Sequence, residues 1–299
     1  MVLSIKYDFQ TFYLNYPFLK LDSLIEYFSI FGGLQDYSGI NLHNNMLKDA
    51  LQELIDKKII EQELPFFVFD DPFRKLLIQI ARGDGLIDSS LNRVSIGQTL
   101  GYDIIKELVK NSILYIVDSR ELPIKRYSKQ LIKKELRGYN IQNKLRFAKP
   151  IYKFWFAFVE PSRDSYNNID IDAIVQNLKK YQYRLTYLVF EQLSRELLKD
   201  FLGEDELNCN SYWDRYSEFD IYCKKDDGLA IVGECKYTNR PLTKAELIKL
   251  EAKIEQSGLF ADKIALFSKS GFSSELSKSQ SEKLLLFELE DFRELLNTL

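Results

Sequence analysis

The sequence contains very few of the side chains on which several common kinds of chemistry depend. Among its 299 residues are three cysteines and a single histidine, His43. Three widely spaced cysteines are too few for a disulfide framework or a zinc site, and one histidine excludes a histidine-rich metal site. A Ser-His-Asp or Cys-His mechanism would have to use His43, and nothing near it resembles a nucleophile elbow. Any catalysis must therefore rest on other side chains.

Long apolar runs and an export signal are also absent. No run reaches the roughly 18 apolar residues of a membrane-spanning helix. The first eight residues, MVLSIKYD, have neither a basic start nor the apolar stretch of a signal peptide. We expect Cys209, Cys223 and Cys235 to be free thiols. Together these features predict a cytoplasmic protein that has no membrane partner.

The overall composition is that of a folded protein with more than one part. Hydrophobic residues make up 45% of the chain and charged residues 28%, which excludes a disordered or low-complexity polymer. The net charge is only −3, so the whole-chain charge does not indicate a nucleic-acid partner. We predict three segments: a helical region over 1–71, a second domain over 72–160, and an α/β domain over 161–299.

The first segment has the spacing of amphipathic helices. Apolar residues at Leu21, Leu24, Ile25 and Phe28 share one helical face, and a second helix is predicted from Met46 onwards. Residues 72–120 predict a helix that ends at Gly83, a second that ends at Gly101, a third over 104–109 and a strand over 113–117. This order is typical of a winged helix-turn-helix, although three short helices also build inert bundles.

A one-signed charge cluster follows. Residues 120–153 contain eleven lysines and arginines against Glu121 and Glu135, so this segment carries +9 in a chain of −3. Such a stripe beside a winged helix is typical of a protein that binds a phosphate backbone, with DNA favoured over RNA. The alternative is a solvated helix face with a basic connector. Asp103 and Glu107 weaken a model in which the third helix enters a groove. The predicted nucleic-acid contacts are Lys106, Lys110, Arg120, Lys125, Arg126, Lys129, Lys133, Lys134 and Arg137.

The last segment predicts an α/β core with a mixed sheet. A long amphipathic helix covers about 172–202, and apparent strands follow at 219–223, 229–236 and 263–267. A turn over 225–228 joins the first two strands as a hairpin. A helix over 243–257, a strand over 284–287 and a closing helix over 290–298 complete the prediction. The fold class is therefore α+β, with a helical N-terminal region that includes the winged helix.

Acidic and basic side chains converge on the predicted hairpin. Glu234 and Lys236 face the same side of their strand, because residues i and i+2 do so, while Cys235 points the other way. The hairpin brings Asp220 alongside Glu234. Two carboxylates suit Mg²⁺ or Mn²⁺, and a lysine beside them can orient water and neutralise phosphate charge. Without a metal and a phosphate, the same residues would form only an ion-pair cluster.

These residues carry a resemblance to a known family. An Asp, then thirteen residues, then Glu-x-Lys, with Glu191 on the preceding helix, resembles the PD-(D/E)XK nuclease superfamily. Finer motifs resemble the DUF234 domain, which ends many archaeal-type STAND ATPases: YWDR at 212–215, EFDI at 218–221, GECKYT at 233–238, FSKSGF at 267–272 and the aromatic run FWFAFVEP at 154–161. The implied fold of 161–299 is a restriction-endonuclease-like domain.

The resemblance implies a Mg²⁺-dependent endonuclease that hydrolyses phosphodiester bonds. Asp220 and Glu234 would be metal ligands together with the Cys235 carbonyl, Lys236 would stand at the attacking water, and Glu191 would support the site from its helix. The alternative is a non-catalytic DNA-binding or regulatory protein that uses the nuclease-like fold for docking; a purely structural interaction protein is a third hypothesis.

One departure from the ATPases limits this comparison. No Gly-x-x-x-x-Gly-Lys-Ser/Thr motif occurs, so the ATPase core is absent from this sequence. Nucleotide-driven switching cannot be carried over. Either an ATPase partner supplies it in trans, or the protein works without it.

Overall fold

The computed structural model describes residues 4–43, 47–121, 123, 129–132, 134, 137–164, 166, 168–204, 207–225 and 227–297. Over these residues the protein is α+β, with a helical N-terminal region and a five-stranded mixed sheet in its C-terminal part. None of its helices in these ranges combines the length and the apolar character needed to cross a membrane.

Short helices dominate the N-terminal region. They are α1 (Ile5–Asn15), α2 (Leu21–Phe31), α3 (Leu47–Asp56), α4 (Ile59–Glu63), α5 (Phe73–Arg82), α6 (Ile87–Arg93), α7 (Gln98–Lys110) and α8 (Pro150–Phe154). A 3₁₀ helix covers Phe66–Phe69, a π-helical turn covers Trp155–Val159, and another 3₁₀ turn covers Glu160–Ser162. The strands β1 (Leu114–Val117) and β2 (Lys144–Phe147) pair antiparallel after α7. The predicted start of a helix at Met46 lies outside the described residues.

The predicted helix end at Gly101 is wrong. Helix α7 runs through this glycine from Gln98 to Lys110. A Cβ atom at Gly101 would lie 2.5 Å from Cδ2 of Leu91, a side chain on α6. Glycine is therefore needed here for close packing of α6 against α7, and not as a helix stop.

The C-terminal part follows the predicted order, with one additional strand and one additional short helix. Its elements are α9 (Ile171–Leu202), β3 (Asn208–Trp213), β4 (Glu218–Lys224), β5 (Ala230–Lys236), α10 (Lys244–Ser257), β6 (Lys263–Ser268), α11 (Ser274–Ser277), β7 (Leu284–Glu288) and a 3₁₀ helix over Leu289–Leu296. The strands lie in the order β3-β4-β5-β6-β7. The first two pairings are antiparallel and the last two parallel, so the predicted mixed sheet is confirmed.

Two apolar clusters cover the two faces of this sheet. The larger runs from Phe9 on α1 to Leu295 near the C-terminus, and includes Ile231 and Cys235 of β5. The smaller packs α10 against Val232 of β5. Helix α9 belongs to the larger cluster, so it lies between the N-terminal helices and the sheet. The charged residues at the end of β5 are thereby held between α9 on one face and α10 on the other.

The prediction of three free thiols is wrong for two of them. Cys209 on β3 lies directly opposite Cys223 on β4, and the two form a disulfide, whereas Cys235 is free and buried. Strand β3 was not predicted, so the sequence analysis could not predict the pairing of β3 with β4 that places these two cysteines opposite each other. The disulfide removes one of the two grounds for the predicted location of the protein.

Candidate active site

Helix α9 presents three polar side chains at one-turn intervals. Tyr187, Glu191 and Arg195 are four residues apart, so they share one face of the helix. Tyr187 and Arg195 reach the hairpin of β4 and β5. The Tyr187 hydroxyl lies 2.9 Å from Oδ2 of Asp220, and the Arg195 guanidinium donates to the Asp220 carbonyl oxygen at 2.9 Å.

Asp220 is fixed at the point where the β4–β5 ladder ends. The last paired residues are Ile221 and Gly233. Beyond them, the Cys235 backbone N–H donates to Asp220 Oδ2 at 2.8 Å. The Tyr187 hydroxyl also lies 3.1 Å from the Cys235 carbonyl oxygen. Burial, and then the Asp220 charge, raise the pKa of Tyr187, so its hydroxyl keeps its proton and acts as the donor. The Tyr187 hydroxyl thus contacts both Asp220 Oδ2 and the Cys235 carbonyl oxygen, the two groups that the family resemblance implies as metal ligands together with Glu234.

Glu234 and Lys236 lie on one face of β5 and contact each other. The Lys236 ammonium is 2.6 Å from Glu234 Oε1, and Lys253 on α10 is 3.6 Å from Oε2 of the same carboxylate. The Oε2 atom is buried and accepts no hydrogen bond from the part of the chain that the structure describes. A buried carboxylate oxygen without a hydrogen bond is uncommon, and this one has an ion pair with Lys253 but no direct donor, so it is available to a cation.

Burial and mutual repulsion perturb the two innermost carboxyls. Burial, reinforced by the Glu234 charge, raises the pKa of Asp220 to about 6. Burial, reinforced by the Asp220 charge, raises the pKa of Glu191 to about 8. Burial lowers the pKa of Lys236, but the adjacent Glu234 carboxylate more than offsets this, so its pKa is raised and the ammonium stays charged. Perturbed carboxyls beside a lysine are typical of functional sites.

The donor set suits a hard divalent cation with few protein ligands. No three His, Cys, Asp or Glu side chains gather into a metal cluster within the described ranges. Glu234 Oε2 is nevertheless left without a hydrogen-bond donor among these residues, and the Tyr187 hydroxyl lies between Asp220 Oδ2 and the Cys235 carbonyl oxygen. Two carboxylates and one carbonyl match a Mg²⁺ ion that keeps several waters. The residues therefore fit the predicted metal.

Glu191 occupies a different place from the other predicted site residues. It is 9% exposed and lines a cavity of about 720 Å³ whose walls do not include Asp220, Glu234 or Lys236. Its influence on Asp220 is electrostatic, through the pKa values given above. The structure thus brings Asp220, Glu234, Cys235 and Lys236 together, and places Glu191 one helical turn beyond Tyr187.

The predicted nucleic-acid contacts divide into four groups. Arg120 donates to the Tyr222 carbonyl at 3.1 Å and contacts Asn208, so the sheet holds its guanidinium. Lys110 is exposed and lies 3.8 Å from Glu107. Lys125, Arg126 and Lys133 lie outside the described residues. The remaining four are exposed: Lys106, Lys129, Lys134 and Arg137.

Sequence reasoning missed three side chains of the site. Tyr187, Arg195 and Lys253 lie on helices, where a polar residue every fourth position has the same pattern as an ordinary solvated face. One signal was available in the sequence. Tyr187 lies four residues before Glu191 and Arg195 four residues after it, so both share a helical face with the residue that was predicted to support the metal.

Comparison with known proteins adds one finding. Residues 155–250 match the model of the family DUF234, which is described as archaeal and bacterial proteins of unknown function. The matched region begins at the π-helical turn and ends within α10, so it contains Asp220, Glu234 and Lys236. This match supports the resemblance to DUF234 motifs over about a third of the chain. No curated protein and no solved structure matches the chain.

Proposed function

We propose that this protein is a DNA-binding, metal-dependent nuclease of the PD-(D/E)XK type, which hydrolyses phosphodiester bonds. The observation that carries the proposal is the convergence of Asp220, the Cys235 carbonyl, Glu234 and Lys236 where β4 and β5 part. The order α9, the antiparallel hairpin β4–β5, α10 and the parallel strand β6 supports the same assignment, because it is the order that the sequence motifs imply.

Each side chain has a distinct task in this proposal. Asp220, Glu234 and the Cys235 carbonyl hold Mg²⁺ or Mn²⁺. When bound, the cation supplies charge stabilisation at the phosphate and lowers the pKa of a bound water. Lys236, kept charged by Glu234, offers an ammonium that orients the attacking water and stabilises negative charge on phosphate oxygens. The Arg195 hydrogen bond to the Asp220 carbonyl fixes the backbone on which the carboxylate stands.

The N-terminal region supplies the proposed DNA contacts. Helices α5, α6 and α7 followed by the β1–β2 pair support a winged helix-turn-helix, in which α7 offers phosphate contacts. Lys106 is exposed on α7, and Lys129, Lys134 and Arg137 are exposed in the basic connection between β1 and β2. These cations provide sequence-independent attraction to the phosphate backbone.

The direct test is nicking of supercoiled plasmid DNA in Mg²⁺. We expect activity in the wild-type protein and its loss in Asp220→Asn and Lys236→Met. Asp262→Asn is the matched control, because Asp262 Oδ2 accepts the Ala230 N–H at 2.8 Å at the opposite end of β5. Lys224→Met controls for lysine removal from an exposed strand end. Equal nicking by all five proteins would mean that a contaminant cuts the DNA.

One observation favours a second function, that of a non-catalytic DNA-binding or regulatory protein. The Tyr187 hydroxyl already engages Asp220 Oδ2 and the Cys235 carbonyl, and Lys236 already engages Glu234. Such internal pairing is compatible with a docking module that needs no cation. DNA binding by the wild-type protein with no nicking in either Mg²⁺ or Mn²⁺ would support this alternative and reject hydrolysis.

A further inference from the structure

The cavity that contains Glu191 has an unusual balance of charge. It lies between α9, the start of α1, the strands β2 and β3, and Tyr115 of β1, and its volume is about 720 Å³. Three carboxylates line it: Glu191, Glu196 and Asp200. Six cations also line it: Lys6, Arg146, Lys149, Lys153, Arg195 and Lys199.

Half of these cations are neutralised by salt bridges. Lys6 lies 2.8 Å from Asp200, and Lys199 lies 2.9 Å from Glu196. Lys149 lies 3.4 Å from Glu63. Two of the three wall carboxylates, Asp200 and Glu196, belong to these pairs, and the third partner, Glu63, is not part of the wall. Each pair is neutral, so the three pairs add no net charge to the cavity.

The other three cations have no carboxylate within salt-bridge distance among the residues described. Their hydrogen bonds go to backbone carbonyls: Arg146 to Asp84 at 2.9 Å, Lys153 to Ala81 at 3.1 Å, and Arg195 to Asp220 at 2.9 Å. Glu191 is the one wall carboxylate left, and it makes no salt bridge in this part of the chain. Three cations therefore face one carboxyl group.

Burial and neighbouring charges shift the pKa values of two groups in this cavity. Burial, and then the Arg146 charge, lower the pKa of Lys153 to about 7. Burial also raises the pKa of Glu191 to about 8, so near neutral pH this carboxyl is largely uncharged and Lys153 is only partly charged until an anion pairs with it. Clustered cations removed from water are costly unless an anion pairs with them.

We propose that this cavity is a binding site for a phosphate monoester of nucleotide size, with Arg146, Lys153 and Arg195 as the cations that receive the phosphate. A guanidinium binds phosphate through two parallel hydrogen bonds, and an ammonium adds a point charge. Tyr115 lines the same cavity and offers aromatic surface to a base. The volume lies in the range of about 300–1,000 Å³ that small-molecule sites occupy.

Two sources share this chemistry: a free nucleotide and the 5′-phosphorylated end of a single strand. Isothermal titration of the full chain in EDTA distinguishes them, with AMP, adenosine, and a short oligodeoxynucleotide carrying either a 5′-phosphate or a 5′-hydroxyl. AMP that binds at least tenfold more tightly than adenosine supports the site. A further tenfold preference for the phosphorylated oligonucleotide over its hydroxyl form assigns the strand end, and its absence assigns the free nucleotide.

Matched variants locate the binding. We expect Arg146→Gln and Lys153→Met each to weaken AMP binding at least tenfold. Lys199→Met and Lys6→Met, which remove cations that are already paired in the same wall, should change it less than threefold. Thermal unfolding checks that each variant is folded. If Lys153→Met does not fold, Arg146→Gln alone tests the site. Wild-type protein that binds neither AMP nor the phosphorylated oligonucleotide overturns the proposal, as does equal loss in Arg146→Gln and Lys199→Met. Because EDTA removes divalent metal, this result is independent of nuclease activity.

Discussion

Helix α9 separates two charged regions that are organised in opposite ways. At the end of β5, most of the charged atoms are paired: Tyr187 and the Cys235 N–H satisfy Asp220 Oδ2, while Lys236 and Lys253 flank Glu234. In the cavity, Arg146, Lys153 and Arg195 rest on backbone carbonyls alone. A ligand of the first region must therefore compete with existing protein contacts at Asp220 Oδ2 and the Cys235 carbonyl, whereas a ligand of the second would add contacts to cations that have no carboxylate partner.

Because their charges are organised differently, the two regions should respond differently when one charged residue is replaced. Where charges compensate each other, removing one partner leaves the other buried and unpaired, and the remaining group then dominates the effect. Where cations are uncompensated, removing one relieves repulsion and costs the folded protein little, but it removes affinity for an anion. We call Asp220, Glu234 and Lys236 with their partners the acid–lysine region. Substitutions in this region should therefore change the rate of hydrolysis, and substitutions in the cavity should change the affinity for an anion.

The largest expected effect is a separation of the two regions by Lys236→Met. We expect this variant to lose plasmid nicking at least about a hundredfold, the size typical of removing one charged group that stabilises a transition state. AMP binding in EDTA should stay within twofold of wild type, because Lys236 does not line the cavity. A parallel loss of both properties would show that the two regions are a single site.

The second prediction concerns Glu191, whose carboxyl interacts electrostatically with Asp220 on one side and with Arg146 and Arg195 of the cavity on the other. Because its pKa is raised from 4.5 to about 8 in the folded protein, ionisation opposes folding, and the wild type should lose stability as the pH rises between these values. Glu191→Gln removes this penalty. We expect it to be more stable than wild type by about 2 kcal/mol at pH 9, below the full linkage value because Gln also gives up attraction to Arg146 and Arg195. Below pH 4.5 the two proteins should be alike.

Urea unfolding at pH 4.5 and pH 9 measures the difference. Glu196→Gln is the control, since Glu196 lies on the same helix and is paired with Lys199 at 2.9 Å. Its stability relative to wild type should show no gain at high pH. An equal destabilisation of Glu191→Gln at both pH values would mean that the carboxyl is ionised and paired throughout.

The third prediction tests whether Tyr187 competes with a cation. Tyr187→Phe removes the hydroxyl that engages Asp220 Oδ2 and the Cys235 carbonyl. We expect Mn²⁺ to bind about fivefold more tightly, because the ion no longer displaces a hydrogen bond of about 1 kcal/mol. Titration calorimetry checks this, with Tyr183→Phe as a control at an exposed position on the same helix. Weaker Mn²⁺ binding would show instead that Tyr187 positions Asp220 for the metal.

Much of the fold was predictable because its apolar spacing is regular. The 32-residue helix α9, the β4–β5 hairpin and strands β6 and β7 all follow from periodicity and turn residues. Strand β3 was missed because its sequence, NCNSYW, is polar and its pairing register shifts between Asn210 and Tyr212. Alternation is lost at such an irregularity. The disulfide was hidden for the same reason, since it depends on that pairing.

The candidate site was predictable only in part. Asp220, Glu234 and Lys236 are brought together by strand alternation and a short turn, which are local rules. Arg146 and Lys153 were grouped with a basic stripe, yet both line the cavity, because α8 packs next to α9 and β2 packs next to α8. Local charge counts cannot distinguish a cation that faces solvent from one that faces a cavity.

The smallest expected effect is that of Lys253→Met on α10. Lys253 lies 3.6 Å from Glu234 Oε2 and 4.6 Å from the Phe219 ring centroid, and its side chain is about a third exposed. A long, partly solvated ion pair of this kind is worth about 0–1 kcal/mol, and the methionine retains apolar packing on the Phe219 ring. We therefore expect urea unfolding to show a stability loss below about 1 kcal/mol, with the exposed Lys249→Met as control. A loss several times larger would mean that Lys253 is the main counter-charge of Glu234, and that the acid–lysine region depends on α10 as much as on Lys236.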